Sequence, residues 1–399
     1  MSDYKRISGG VTAAKGFRAN GVHAGIKEDK PDMAMVASDV PATVAGTFTT
    51  NQVQGAHVGF CRDRLVGRMA RAVVVNSGNA NACTGVQGVD DAGEMATLSA
   101  EQLGCEAGHI FVCSTGSVGV PLPMDVIRGG IVTLASGLSE DGADNAAAGI
   151  MTTDTVPKQA AVEIDVDGTT VRIGAMAKGA GMIEPKMATM LAFIATDADI
   201  DADALQSCLG QAVDLSFNRI SVDGDQSCND TVLMLANGEA GNATLKPDAP
   251  GWDVFVQALK ALTLELAHMM VADGEGASKF VTIEVSGADS DGDAEKAARA
   301  VANSALVKCA FYGAVPNTIW GRTLVAMGYS GAEVDESLVD ISFDDVPIVH
   351  AGKPLPHDAR LDAITGQASY GIRCELHLGE GSFTVYTCDY TEDYVTLNK

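Results

Sequence analysis

The segment VEIDV-DG-TTVRIGAM, Val162 to Met176, constrains the fold more than any other stretch of the chain. Apolar and polar residues alternate on both sides of Asp167-Gly168, the kind of pair that a two-residue hairpin turn demands. A slip of one residue would move every side chain to the opposite face, so the pattern fixes register as well as strand. The second strand of this hairpin delivers the chain to KGAGMIEPKMATMLAFIATDADI, Lys178 to Ile200. There a glycine-rich, lysine-bearing loop runs through Ala188-Thr189 into an apolar run.

Other elements follow from similar patterns. Short β-like runs punctuated by glycine occupy Met33 to Asp39, Ala42 to Thr50 and Arg71 to Gly78. The small and amide residues of NSGNANACTG, 76–85, read as a loop, and helical spacing with acidic residues in the first turn predicts a helix over 88–103. Ile110 to Cys113 reads as a buried strand that opens into a loop at Ser114-Thr115-Gly116. Asp201 or Asp203 is expected to cap a helix reaching Phe217, and Thr231 to Gly238 reads as a strand. A long helix starts at Asp253 and stops at Asp273-Gly274, presenting Glu275 between two glycines. SGADSDGD interrupts the pattern near 287–292, followed by an alanine-rich helix over 294–309 and strands around VDISFDDVPIV, GIRCELHL and SFTVYTCDY. The expectation is a mixed α/β (α+β-like) chain with mostly antiparallel strands, divided into domains 1–286 and 287–399.

Composition excludes several classes. At 399 residues and 46% hydrophobic, the chain can bury a large core. A formal net charge of −25 opposes nucleic acid or anionic membrane as a partner, since both are polyanions. The N-terminal MSDYKRISGGVTAAKGFRANG has no apolar signal region, and no uninterrupted apolar stretch approaches the ~18 residues of a membrane span. Nine dispersed cysteines form no CxxC pair and no Cys/His ligand spacing, which argues against a zinc site or a disulfide framework and suits a reducing cytoplasm. The seven histidines are scattered, which lowers the odds of a Ser/His/Asp triad without excluding one. The expectation is a cytoplasmic protein that binds no metal.

Thr189 offers chemistry that needs no histidine. If the Ala188–Thr189 bond were cut, Thr189 would own a nucleophilic hydroxyl and a free α-amine, the minimum equipment of an N-terminal nucleophile. An α-amine with a pKa of about 7.7–8 is partly unprotonated near neutrality and can serve as the base. Polar residues also crowd TTDTVPK (152–158), STG (114–116), KGAG (178–181), DGDQSCND (223–230) and DGEGASK (273–279). Each alone reads as an ordinary turn. None carries the full GxxxxGK[ST] phosphate-loop pattern.

Together the motifs resemble the ornithine acetyltransferase family, also called glutamate N-acetyltransferase. The match runs in order through NSGNANACTG at 76–85, STG at 114–116, MTTDTVPK at 151–158, AKGAGMIEPKMATML at 177–191 and SFNRISVDGDQSCNDT at 216–231. It continues with LANG at 235–238, DGEGASK at 273–279, NSALVK at 303–308 and YTCDYTEDYVTLN at 386–398. The resemblance implies an N-terminal-nucleophile acetyltransferase architecture, with layered sheets flanked by helices and a smaller C-terminal α/β domain. It implies self-cleavage between Ala188 and Thr189 into an α chain, 1–188, and a β chain, 189–399, assembled as α2β2. The implied reaction moves acetyl from N2-acetylornithine to glutamate with no metal or organic cofactor; use of acetyl-CoA as a second donor stays open. By the same likeness Thr189 is the nucleophile, Thr115 and Gly116 form the oxyanion hole, and Thr152, Lys178, Thr189, Glu275 and Asn398 bind substrate. Lys178 suits a substrate carboxylate and Glu275 a substrate amine.

The chain departs from the family pattern in a few places. It stops at Asn398-Lys399, before a final hydroxyl residue that the family carries into the substrate site. GAVPNTIWGR, 313–322, has valine in place of aspartate and two extra residues, Thr318 and Ile319, which predicts a remodelled loop. Ser117 and Cys228 are milder changes. Two competing readings are an N-terminal-nucleophile aminopeptidase or amidase, in which water replaces glutamate, and a non-catalytic relative.

Overall fold

The structure is a computed structural model and describes residues 4–184 and 190–399. Two compact units divide these residues: one of 1–218 with 225–267, the other of 219–224 with 268–399. The pattern break at 287–292 falls inside the second unit, between strand Phe280–Ala288 and helix Asp291–Asn303.

The first unit is built on a nine-stranded sheet. Its path runs Tyr4–Ile7, Lys158–Val166, Thr169–Lys178, Leu191–Thr196, Thr231–Ala236, Met33–Phe48, Met69–Asn79 and Ile110–Ser117, and Phe17–Val22 pairs with Met33–Phe48 off this path. The hairpin forms as its alternation requires. Val166 pairs with Thr169 across Asp167 and Gly168, whose φ angles of 50° and 83° are the two positive values of a type I′ turn. Two pairings in this sheet are parallel: Leu191–Thr196 with Thr231–Ala236, and Met69–Asn79 with Ile110–Ser117.

Met33–Phe48 is one strand of 16 residues where the sequence suggests two. Its first half pairs with Phe17–Val22 and its second half with Thr231–Ala236, and its register with Met69–Asn79 shifts between Ala37 and Ala42. Asp39 and Pro41 sit in that shift. Proline lacks the N–H that a continuous ladder would use, so the break falls there.

Side chains of the sheet alternate between two cores. Val73, Val75, Phe111 and Cys113 pack with Ala143, Ala146, Ala147 and Ile150 of helix Ala143–Ile150. Ala72, Val74, Ile110 and Val112 pack with Ala92, Met95 and Ala96 of helix Gly85–Leu103 and with Ile127, Ile131 and Leu134 of helix Met124–Ser136. Burial of each large apolar side chain contributes about 1.5–3 kcal/mol, so sheet and helices stabilise each other as layers.

The second unit has a seven-stranded sheet in the order Lys353–Pro354, Val346–His350, Asp340–Phe343, Ser369–Glu375, Phe280–Ala288, Gly381–Cys388 and Ile220–Ser221. Val281, Ile283 and Val285 pack with Ala294, Ala297, Ala298 and Val301 of helix Asp291–Asn303. The single helix expected over 294–309 is two, because Ser304 leaves helical geometry and its hydroxyl accepts from Val307 N–H at 3.3 Å to cap a second helix, Ala305–Gly313. Thr318 and Ile319 do not remodel a loop: they lie in helix Pro316–Gly328, and Ile319 is fully buried.

Helix Trp252–Ala272 is the one described helix long and apolar enough, by length and composition, to cross a membrane. Lys260 and Glu265 interrupt it, and half of its most apolar window is buried within the protein.

Candidate active site

Thr115 and Gly116 do not sit in a loop. Strand Ile110–Ser117 continues through both residues and pairs in parallel with Met69–Asn79, matching Asn76 with Ser114, Ser77 with Thr115 and Gly78 with Gly116. Gly78 and Gly116 carry φ angles of 104° and 131°. A Cβ on Gly116 would lie 2.3 Å from the carbonyl carbon of Gly78, so only glycine allows the two backbones this approach. The sequence reads as loop because its glycines and amides are loop-like, yet those residues here serve close strand pairing.

Buried amides lock this strand end. Ser114 Oγ donates to Asn76 Oδ1 at 2.7 Å, and Asn76 Nδ2 donates to Asn79 O at 2.8 Å. Asn229 Nδ2 donates to both Ala80 O and Ser114 O at 2.6 Å. The next residue, Asp230, accepts from Met190 N–H at 2.7 Å through Oδ1, and Thr231 then pairs with Leu191. Three consecutive residues, Asn229-Asp230-Thr231, therefore join the Thr115–Gly116 strand to the start of the strand that follows Thr189. Ala188 and Thr189, the expected cleavage pair, lie outside the described residues.

Lys178 ends the hairpin strand opposite Leu191 and is 2% exposed. Asp154 connects it to Thr152. Asp154 Oδ1 accepts from Lys158 Nζ at 2.6 Å and from Gly179 N–H at 2.7 Å, and Oδ2 accepts from Thr152 N–H at 3.0 Å. Burial pushes the Asp154 carboxyl up, but the charges of Lys178 and Lys158 and the hydrogen bonds from Lys158 and Thr152 hold it well below the carboxylate range. Thr115, Gly116, Thr152 and Lys178 thus all belong to the first unit, Thr115 and Gly116 on its edge strand Ile110–Ser117 and Lys178 at the end of Thr169–Lys178.

Glu275 and Asn398 belong to the second unit, where they meet directly. Asn398 Nδ2 donates to Glu275 Oε2 at 2.7 Å and to Tyr394 O at 3.0 Å. Helix Glu392–Leu397, which ends at Asn398, is docked on the turn that holds Glu275 by Thr391 Oγ1, which donates to Gly276 O at 2.7 Å. A Cβ on Gly276, at φ 68°, would lie 2.5 Å from Tyr394 N.

The sequence gives little sign of two further features. His57 is fully buried, bonded through Nε2 to Asn229 O at 3.1 Å, and burial lowers it to about 4, so it is a neutral prop beneath the Asn229 clamp. Lys27 has a half-buried side chain whose Nζ donates to Pro31 O at 2.8 Å and to Met151 O at 2.6 Å, next to Thr152. A lysine in a polar loop, IKEDKPD, looks solvated; only the fold brings it beside 151–152. Cys228 is also buried, and its thiol donates to Asn229 Oδ1 at 2.5 Å.

Fold and site define a class: a two-sheet mixed α/β protein with a buried lysine–aspartate cluster and an amide-clamped strand end on one sheet. The chain belongs to the ArgJ family, whose family model matches residues 18–399. It is 50% identical over 396 residues to the arginine biosynthesis bifunctional protein ArgJ of Symbiobacterium thermophilum, covering 98% of each chain. Its identity with the protein of the same name from Geobacter sulfurreducens is 49% over 387 residues, with 96% of this chain and 98% of that one covered. A crystal structure of the ArgJ protein of Bacillus halodurans matches with a TM-score of 0.50 at 40% identity, covering 52% of this chain and 97% of that one.

Proposed function

We propose that this chain cleaves itself between Ala188 and Thr189, and that the freed Thr189 carries acetyl from N2-acetylornithine to glutamate. The α-amine of Thr189 draws the proton from its own Oγ, and Oγ attacks the acetyl carbonyl carbon of acetylornithine. The tetrahedral oxyanion is met by the Thr115 hydroxyl and the Gly116 N–H. The C–N bond then breaks, the amine returns the proton to the leaving nitrogen, and ornithine departs from an acetyl-threonine ester. Glutamate enters, its amine attacks the ester carbonyl, and N-acetylglutamate leaves as the proton returns to Thr189. Thr152, Lys178, Glu275 and Asn398 hold the substrates. The reaction consumes no redox equivalent and needs no metal or organic cofactor.

The observation that carries this reading is the Asn229-Asp230-Thr231 clamp. It ties the strand bearing Thr115 and Gly116 to Met190, the residue after Thr189. The relatives' shared name, arginine biosynthesis bifunctional protein, supports a role in arginine synthesis. We assign acetyl-CoA as the donor of the second activity. The cut chains remain one folded unit and pair as α2β2. All nine cysteines are free, which supports a reducing, cytoplasmic setting.

Acetylation of glutamate, assayed in parallel with acetylornithine and with acetyl-CoA, tests the reading. Acetylglutamate from both donors is the expected result. Acetate release without acetylglutamate would instead mark a hydrolase.

A further inference from the structure

Lys27 stands at this site without a role in the reaction just described. Its loop is wrapped around a buried carboxylate: Ala24 N–H donates to Asp32 Oδ1 at 2.6 Å, and the N–H groups of Gly25, Ile26 and Lys27 donate to Oδ2 at 3.0, 2.7 and 3.0 Å. Asp32 O in turn accepts from Ser77 N–H at 2.8 Å, which fixes the loop against the strand that pairs with Thr115 and Gly116. The Lys27 side chain lies along Gly78, where an added Cβ would come within 3.1 Å of Lys27 Cγ and 3.6 Å of Cε. Gly78 is the register partner of Gly116. At its far end Nζ bonds Met151 O, one residue before Thr152.

Two of the three ammonium N–H donors are used, on Pro31 O and Met151 O. The charges of Lys178 and Lys30 press on the group against those of Asp32 and Asp154. A lysine reaching into solvent would be cheaper than one turned inward beside two others. An anion arriving at this point would offset the repulsion.

We propose that Lys27 is a substrate-binding residue, its third N–H joining Lys178 in holding the carboxylate of the amino-acid substrate. The inference rests on the acetyl-transfer reading for the identity of that substrate. Burial first, then the charges of Lys178 and Lys30, pull the Lys27 amine down to about 8 against the opposing pull of Asp32 and Asp154. His23 Nδ1 lies 3.3 Å from Asp32 Oδ2, and Glu28, Asp29 and Lys30 are the other titratable groups on the loop. The free amine therefore loses its charge above about pH 8, and carboxylate affinity falls with it.

The test is glutamate binding by calorimetry and glutamate KM and kcat for wild type, Lys27→Met and Lys27→Arg, near neutrality and above pH ~9. Lys27→Met should weaken binding and raise KM about ten-fold or more, with kcat changed far less. Lys27→Arg, permanently charged, should bind near the wild-type level at neutrality and lose less affinity at alkaline pH. Glutamate binding and KM unchanged in Lys27→Met would overturn the assignment. If that variant does not fold, an alkaline loss of affinity as large in Lys27→Arg as in wild type overturns it. Wild type that binds glutamate through Lys27 but transfers no acetyl would sink the acetyl-transfer reading and keep this one. Wild type that neither binds glutamate nor transfers acetyl to it sinks both.

Discussion

Met190 N–H donates to the fully buried carboxyl of Asp230 at 2.7 Å, pinning the residue that follows Thr189 to the residue just before the neighbouring parallel strand Thr231–Ala236. Asp230 lies between Asn229, which grips the Thr115 strand, and Thr231, which pairs with Leu191. A single tripeptide thus sets the spacing between the start of one strand and the end of another. Catalysis by an attacking hydroxyl and a fixed oxyanion donor depends on that kind of spacing.

Asp230 gives a pH-dependent stability with a definite sign. Burial raises its carboxyl well above the ordinary value, outweighing the Met190 N–H and the Lys178 charge that lower it. Between the unfolded value, about 3.9, and the raised folded value the native state holds the extra proton, so this contribution is complete below the former and is lost as pH rises through the latter. Asp230→Asn keeps an acceptor for Met190 and removes the titration. Thermal melts across pH should show a flatter profile for Asp230→Asn, whereas Asp230→Ala should lose about 1–3 kcal/mol at every pH through the orphaned N–H.

Asp154 has the opposite sign. Its lowered carboxyl contributes stability that is present above the ordinary carboxylate pKa and is lost as pH falls through the folded value. Its ion pair with Lys158 is completely buried on both sides. Asp154→Ala removes the buried carboxylate that Lys158 Nζ donates to at 2.6 Å, a loss of about 3–5 kcal/mol measurable by denaturant titration. The double variant Asp154→Leu with Lys158→Met should recover much of that stability without recovering turnover.

Thr115 and Gly116 separate stability from chemistry. Thr115→Ala should leave the melting temperature nearly unchanged and cut kcat about a hundred- to a thousand-fold. Gly116→Ala should do both kinds of damage, because its Cβ meets the Gly78 backbone at 2.3 Å. Melting temperature and kcat, measured on the same preparations, check both outcomes.

Local chemistry explains what the sequence revealed. The Asp167-Gly168 hairpin and the Asp201 cap, which accepts from Asp203 and Ala204 N–H at 3.1 Å, are written within a few residues, so pattern alone locates them. The long helix likewise stops where expected, at Ala272 before Asp273-Gly274. Ser114–Gly116 misleads because the same glycines that favour turns also permit two backbones to close on each other. The parallel pairings of both sheets were hidden because each joins strands far apart in sequence. Lys27 escaped for that reason too: its environment comes from Pro31, Gly78 and Met151, and only the last two, remote in sequence, tie it to the site.

Intact-mass spectrometry after incubation with N2-acetylornithine, with no glutamate present, tests the acetyl-threonine account most directly. It predicts two chains, 1–188 and 189–399, with one acetyl group added to the second and removed again when glutamate is supplied. Thr189→Ala should give one uncut, unacetylated chain. A single uncut wild-type chain, or a cut chain that transfers acetyl to glutamate without ever carrying it on 189–399, would contradict the account.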